Sequence, residues 1–263
     1  STGSETPTLE YSKDKSTWNT ITFDWASGTH TTELPVKLNT GEKMYFRNDT
    51  RKFSENSNYI SFSSSVSSNV GGDIRTLSNY LDVNSETKPQ SYMFRDLFNN
   101  NKNIVDASNL RLPYTTLADG CYFRIFQSCT SLTTAPALPA TTLAANCYHN
   151  AFNRCTSLVN APALPATTLA VECYRALFYG CTSLLNVPEL PAKVLVEGSY
   201  RDIFRDCSKL NNITVYANDI SATYCITNWL SGVTSTGTFR NLGSATYPTG
   251  ASGIPSGWTE GKS

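Results

Sequence analysis

Cysteine and histidine are the residues of this 263-residue chain most able to carry out chemistry, and the closest such pair is Cys147 and His149. A thiol beside an imidazole can form a nucleophile and its general base if both side chains converge. Two residues apart on a helix, however, they point about 200° apart around the axis. His30 lies in a predicted loop, and no CxxC pair or histidine has the spacing of a metal site. The sequence therefore predicts neither a catalytic thiol pair nor a metal centre.

Paired carboxylates and glycines give little further evidence of catalysis or phosphate binding. Asp202 and Asp206 lie four residues apart, a spacing that brings two carboxylates onto one helix face. Arg201 and Arg205 lie beside them, so a solvated charged surface is the simpler interpretation. Gly71-Gly72 has no following lysine and indicates a turn rather than a phosphate-binding loop. We therefore expect a chain that is not an enzyme, with no catalytic residues and no cofactor.

The cysteines instead belong to a repeat. The segment LAANCYHNAFNRCTSLVNAPALPATT, residues 143–168, has near copies immediately before and after it. The first leucines of the copies recur at one constant interval, at Leu117, Leu143, Leu169 and Leu195. Two columns contain all eight cysteines, one with Cys121, Cys147, Cys173, Ser199 and Cys225, the other with Cys129, Cys155, Cys181 and Cys207. A fixed period of this length is typical of a solenoid, in which each repeat buries its apolar face against its neighbours.

Each copy contains signals for one helix and one strand. Thr141 and Thr142 can cap a helix, since their hydroxyls accept hydrogen bonds from unpaired backbone N–H groups. At about 100° per residue, the apolar residues of 143–155 fall on one half of that helix. Residues 157–165 contain the apolar Leu158, Ala161 and Leu164, are closed by prolines and are too short for a helix, which indicates a short strand. The predicted fold class is an α/β solenoid with 26-residue repeats of a short strand plus a helix.

The cysteine columns are predicted to be packing positions, because free cysteine is among the most frequently buried residues. Cys147 and Cys155 would lie about 12 Å apart along a helix, beyond the roughly 7 Å between Cα atoms that a disulfide permits. Ser199 replaces a cysteine in one column, which also favours free thiols. Disulfides between adjacent copies remain an alternative on the sequence alone.

The two flanks of the repeat region differ from it in character. Residues 1–7 are rich in Ser, Thr, Gly and Pro and indicate a disordered tether. Residues 8–55 alternate aromatic and β-branched residues around two turn signals and predict a small antiparallel β module. Residues 56–263 are assigned to the solenoid, with an N-terminal cap at 56–90 and a C-terminal cap at 221–263 closed by Trp258.

Composition narrows the class of partner. Lys plus Arg total 21 and Asp plus Glu total 21, so no net charge attracts nucleic acid or an anionic membrane. No apolar run approaches the roughly 18 residues of a membrane span, and no signal segment opens the chain. We expect neither nucleic-acid binding nor a membrane span.

The pattern CY..AF..CTSL..AP.LPATTLA, iterated from Leu117 to Ala192, and the flanking NVGGDIRTL and GIPSGW resemble the BspA-like leucine-rich repeat proteins of Bacteroides relatives. The resemblance covers about residues 60–260. It implies an exported protein, secreted or displayed on the bacterial outer-membrane surface, and an N-terminal lipid anchor upstream of this chain fits that family. Its repeats would mediate adhesion or recognition of a host or microbial surface protein or glycan. Ser199 and the segment ELPAKVLVEGSY depart from the motif, so the fourth copy is expected to be the least regular.

One polar position recurs among apolar neighbours after the leading Leu or Ile of each predicted strand. Stacked repeats would align it into a stripe on the strand-bearing face, where amides and hydroxyls suit a glycan or an extended peptide. The predicted ligand-binding residues are Asp106, Thr134, Asn160, Asn186 and Asn212. Tyr179 and Arg205 are predicted as separate contacts on the helical side. The polar column could equally be a hydrogen-bonding ladder that serves only the backbone.

Two functions remain open on the sequence alone. One is a non-enzymatic surface recognition or adhesion module, and the other is a structural spacer or coat protein with no specific ligand. Exposed positions such as Phe123, His149, Arg175 and Arg201 differ between copies while the core columns stay constant. This variation favours recognition, although drift on a solvated surface gives the same pattern.

Overall fold

The computed structural model describes residues 8–22, 38–48, 59–79 and 88–261. Its strands are β1 (Thr8–Ser12), β2 (Asn19–Thr22), β3 (Tyr45–Arg47), β4 (Ser68–Asp73), β5 (Ile104–Arg111), β6 (Asn212–Val215), β7 (Gly237–Asn241) and β8 (Trp258–Gly261). The only helix of these described ranges is α1 (Thr76–Asn79), of four residues. The predicted α/β solenoid, with a helix in every repeat, is therefore wrong.

In each copy a run of consecutive turns, which we call the turn ribbon, takes the place of the predicted helix. The six ribbons cover residues 91–100, 119–128, 145–154, 171–180, 197–206 and 223–232. Every fourth residue of a ribbon has a positive φ, as at Asn146 (56°), Asn150 (58°) and Arg154 (60°). Because an α-helix keeps every φ near −63°, the ribbon is a different backbone conformation.

Backbone hydrogen bonds of a ribbon alternate between two kinds of acceptor. The Cys147 N–H donates to Ala144 O in its own turn at 3.3 Å, whereas the Tyr148 N–H donates to Cys173 O of the next copy at 3.0 Å. The same alternation continues along the ribbon. In a helix, interior N–H groups are satisfied within their own segment. About half of the N–H groups here depend on the neighbouring copy, so one copy cannot satisfy its backbone alone.

The residue types explain why a ribbon forms. Left-handed backbone is unfavourable for most L-residues, and Gly, Asn and Asp tolerate it best. These types occupy most of the positive-φ ribbon positions: Asp96, Asn100, Gly120, Asn146, Asn150, Gly180, Gly198, Asp202, Asp206, Asn228 and Gly232. Apolar pairs recur every four residues, as in Cys147-Tyr148 and Ala151-Phe152. Over so short a segment a period of four resembles the 3.6-residue period of a helix, which is why a helix is predicted.

The core consists of columns in which equivalent residues of successive copies stack. In the phenylalanine column the ring centroids are 5.6 Å apart for Phe126 and Phe152 and 5.7 Å apart for Phe152 and Phe178. In the tyrosine column the centroids of Tyr122 and Tyr148 are 5.6 Å apart. These rings are buried almost completely. Because removal of a buried phenylalanine typically costs about 3–5 kcal/mol, these columns are a principal source of stability.

All eight cysteines are buried free thiols. In the second cysteine column each Sγ donates at 3.0–3.1 Å to a main-chain carbonyl of the preceding copy: Cys129 to Phe98 O, Cys155 to Phe126 O, Cys181 to Phe152 O and Cys207 to Phe178 O. In the first column the Ser199 hydroxyl accepts from the Val196 N–H at 3.3 Å. The second column therefore uses cysteine as a small apolar group that is also a hydrogen-bond donor.

In the copies between β5 and β6, the predicted repeat strands are reduced to single parallel bridges. Thr134 pairs with Asn160, and Asn160 pairs with Asn186. Pro162 lies two residues after Asn160, and Pro188 lies two residues after Asn186. Because proline has no N–H to donate, the pairing does not extend into a longer ladder.

Upstream, the first three strands form an antiparallel sheet in the order β2-β1-β3. The turn between β1 and β2 is held by Asp14, whose Oδ1 accepts from the N–H groups of Ser16 and Thr17 at 2.7 and 2.9 Å. Phe46 of β3 contacts Phe62, with ring centroids 4.7 Å apart. The sheet lies within residues 8–55, of which 23–37, with His30, and 49–55 are outside the described residues, as are residues 1–7.

Parallel strands lie at both ends of the repeats, with β4 paired to β5 and β7 between β6 and β8. Gly71-Gly72, predicted as a turn, lies inside β4. A Cβ on Gly71 would come within 3.1 Å of Asn109 Cβ, so glycine allows β4 to approach β5. At the other end Trp258 is buried, and its Nε1 donates to Thr234 O at 2.8 Å.

Candidate ligand-binding surface

The structure aligns four of the five predicted stripe residues on consecutive copies. The parallel bridges are Asp106 with Thr134, Thr134 with Asn160, and Asn160 with Asn186. Main-chain bonds fix this register, since the N–H groups of the residues after Asp106 and Asn160 donate to the carbonyls of Thr134 and Asn186, each at 2.9 Å. Asp106 is half-buried, and the other three are exposed.

Asn212, the fifth predicted residue, is exposed but not bridged to Asn186. It begins β6 and pairs with Thr238 of β7. The bridge between these two copies joins Leu190 to Val215, a separation one residue shorter than the repeat period. This change of register interrupts the stripe after Asn186.

Three further residues, which were not predicted, extend the stripe. Asn69 of β4 pairs with Asp106, and Thr238 pairs with Thr259 of β8. All three are exposed. The stripe thus has a long run and a short run: the long run is Asn69, Asp106, Thr134, Asn160 and Asn186, and the short run is Asn212, Thr238 and Thr259.

The repeat period alone could have predicted one of these three residues. Thr238 lies one full period after Asn212, within a region where the repeat motif is no longer recognisable. Asn69 is farther than one period from Asp106, and Thr259 is closer than one period to Thr238. Only strand pairing places Asn69 and Thr259 in the stripe.

Side-chain hydrogen bonds in the stripe are mostly local. Asn186 Nδ2 donates to Asn160 Oδ1 at 2.7 Å and joins two copies. Asp106 Oδ1 instead accepts from the Ser108 N–H at 2.7 Å, a bond that lowers the pKa of the Asp106 carboxyl. Asn212 Nδ2 donates to the Oδ1 of its neighbour Asn211 at 3.0 Å. One side-chain hydrogen bond, from Asn186 to Asn160, therefore joins two members of the stripe as a hydrogen-bonding ladder would. Among the described residues, the other amides and hydroxyls of the stripe do not form a shared hydrogen-bond network.

The turn ribbons present a second surface, in which arginines lie over aromatic rings. The Arg205 guanidinium lies 5.6 Å from the centroid of Tyr179, so these two predicted contacts adjoin each other. Arg124 lies 4.7 Å from the ring of Phe123. These arginines also form ion pairs, as Arg205 does with Asp202 at 3.3 Å. The charges of this surface are therefore largely balanced within the chain.

Cys147 and His149, the closest pair of reactive side chains, do not form a catalytic pair. Cys147 is buried, which raises the pKa of its thiol well above the usual value. His149 is half-buried rather than on the solvent face, and its Nδ1 lies 2.9 Å from Asn146 Oδ1. Burial, followed by the nearby Arg175 and other arginines, lowers the pKa of His149 to about 3. Because this segment is not a helix, the angle of about 200° expected between the two side chains does not apply. The burial of the Cys147 thiol is instead the evidence against a catalytic pair.

Two further kinds of feature are absent from the described residues. They contain no group of three or more His, Cys, Asp or Glu side chains that could hold a metal ion. They also contain no helix long and apolar enough to cross a membrane. A cavity of about 280 Å³ between residues 230–235 and 250–257 is lined by no ionisable side chain.

No family model, curated protein or solved structure matches this chain. The resemblance to BspA-like proteins therefore rests on the repeat motif and stays a prediction.

Proposed function

We propose that this chain is a non-enzymatic recognition module that binds an extended protein segment or glycan along the polar stripe. The observation that carries the proposal is the register of Asp106, Thr134, Asn160 and Asn186, which places one polar side chain on each of four bridged copies. Amides and hydroxyls in a row can form several hydrogen bonds with a linear ligand. Each bond adds to the affinity only when the ligand's hydrogen-bonding groups have the same spacing as the row.

The stripe is also pre-organised for such binding. Its backbone is fixed by main-chain bonds between copies, and its Asn160 and Asn186 side chains hold each other in place. A rigid surface loses little conformational entropy when it binds, so a larger share of the contact energy appears as affinity. Export and display at a bacterial surface, which the BspA-like resemblance implies, belong to the same proposal.

The test is an array of glycans and of host and microbial surface proteins, probed with the purified chain. Binding to at least one linear polymer or surface protein, saturable at micromolar protein, supports a recognition module. Binding to nothing on the array supports the alternative of a structural spacer or coat protein.

A further inference from the structure

The long run of the stripe is regularly spaced from Asp106 to Asn186, and Asn69 pairs with Asp106 between two register shifts of β4. Its members pair as neighbouring parallel strands, which lie about 4.8 Å apart. The side chains of Asn160 and Asn186 are joined by a hydrogen bond of 2.7 Å, so these two amides lie on the same face of adjacent copies. A ligand that lies along the run must therefore present a hydrogen-bonding group about every 4.8 Å.

An extended peptide does not match this spacing. It advances about 3.3 Å per residue, so side chains on one of its faces are about 6.6 Å apart and fall out of step within two copies. A β-1,4-linked pyranose chain is flat and extended, and each sugar advances by nearly one strand spacing. Successive sugars are rotated by about half a turn, but a glucose ring carries hydroxyl groups on both edges, so each sugar can present a hydroxyl group to the run.

The chemistry of the long run fits a neutral glycan. Asp106 is its one charged member, and the other four carry amides or a hydroxyl. The residues immediately before the stripe positions are also uncharged: Ser68, Val105, Thr133, Val159 and Leu185. Leu185 is 41% exposed and Val159 is half-buried, so they offer apolar surface beside the polar groups. A sugar ring presents this combination of C–H and hydroxyl groups.

We infer that the long run binds a neutral β-1,4-linked glycan with one sugar residue over each copy, an assignment that rests on the recognition function proposed above. The run has five members, and the register change after Asn186 ends it. A bound chain therefore makes its full set of contacts with five sugar residues. Longer chains gain nothing more from this run.

Titration calorimetry with cello- and xylo-oligosaccharides of two to eight sugars tests the inference. Affinity for at least one series should rise with each sugar up to five and then stay constant. Malto-oligosaccharides, whose α-1,4 linkage curls the chain, should bind at least about tenfold more weakly, a difference of about 1.4 kcal/mol. Asn160→Ala should weaken pentasaccharide binding by about tenfold or more. Asn69→Ala should remove only the gain from the fifth sugar.

Thr141→Ala is the matched control, because Thr141 is exposed on the copy that precedes Asn160 and lies outside the stripe. It should leave every affinity unchanged. Equal affinity for the cello- and malto- series, a continued rise beyond five sugars, or full binding by Asn160→Ala would overturn the inference. An array on which the chain binds a protein or peptide but neither oligosaccharide series would overturn the glycan assignment and leave the recognition function. An array with no bound partner would overturn both.

Discussion

Asn186 donates a side-chain hydrogen bond to Asn160 of the preceding copy, with 2.7 Å between Nδ2 and Oδ1 and both residues exposed. Within the part of the chain that the structure describes, no other side-chain hydrogen bond links two members of the stripe. The pair therefore combines the two interpretations of the polar column. It is one rung of a ladder, and it is a rigid pair of amides on an open surface.

Replacing both asparagines separates these interpretations. The double variant Asn160→Ala with Asn186→Ala should lower the free energy of unfolding by less than about 1 kcal/mol, because the lost bond is solvent-exposed. Urea unfolding followed by circular dichroism measures this. A loss of several kcal/mol would show that the column is a structural ladder.

The ribbon backbone predicts an unusual order of stability at Asn150, which has a φ of 58°. Asn150→Gly should be more stable than Asn150→Ala by about 1 kcal/mol, because only glycine adopts this conformation without strain. A helix would give the opposite order by a similar amount. Both variants lose the bond from Asn153 Nδ2 to Asn150 Oδ1, so their difference in thermal unfolding isolates the backbone. The helical order would contradict the ribbon.

The cysteines should be unreactive in the folded chain. Burial raises the pKa of Cys121, Cys129, Cys173 and Cys181 to about 12, and it raises the pKa of the other four as well. Ellman's reagent at pH 8 should therefore label few thiols in the native protein, because the thiolate is the reactive form. In guanidinium without reductant, close to eight should react. Two or fewer would demonstrate disulfides, including those between adjacent copies.

His149 should make the protein less stable as the solution is acidified. Its pKa is about 3 when folded, against an ordinary histidine value of 6.5. Between these values the unfolded chain binds more protons, so stability is lost as the pH falls from about 6.5 towards 3, by at most roughly 1.4 kcal/mol per pH unit. Unfolding temperatures from pH 7.5 to 4.5 should fall more steeply for the native chain than for His149→Gln. Parallel curves would show that His149 is not held neutral by the fold.

The repeat period predicts which residues stack, but the helix predicted for each copy is wrong. The phenylalanine and tyrosine columns pack in the core as their periodic spacing suggests. The predicted helix is wrong because apolar pairs every four residues fit both a short helix and a ribbon. The recurrence of Asn, Asp and Gly, as at Asn146 and Asn150, was the local signal for left-handed turns.

The candidate surface was predictable in its centre and not at its ends. Asn160 and Asn186 are aligned by the period, and the structure bridges them. Asn212 is displaced because the register changes by one residue in the irregular fourth copy, where ELPAKVLVEGSY departs from the motif. Asn69 and Thr259 join the stripe through strand pairing outside the period, which no residue spacing indicates.

The most direct test of the proposed function compares two double variants for binding to the polymer or protein that the array identifies. Asn160→Ala with Asn186→Ala removes the centre of the stripe, and Thr141→Ala with Thr167→Ala removes exposed hydroxyls outside it. By biolayer interferometry, the first should weaken binding by about tenfold or more, equivalent to about 1.4 kcal/mol, while the second binds like the native chain. Native affinity in the asparagine variant would contradict a ligand-binding role for the stripe.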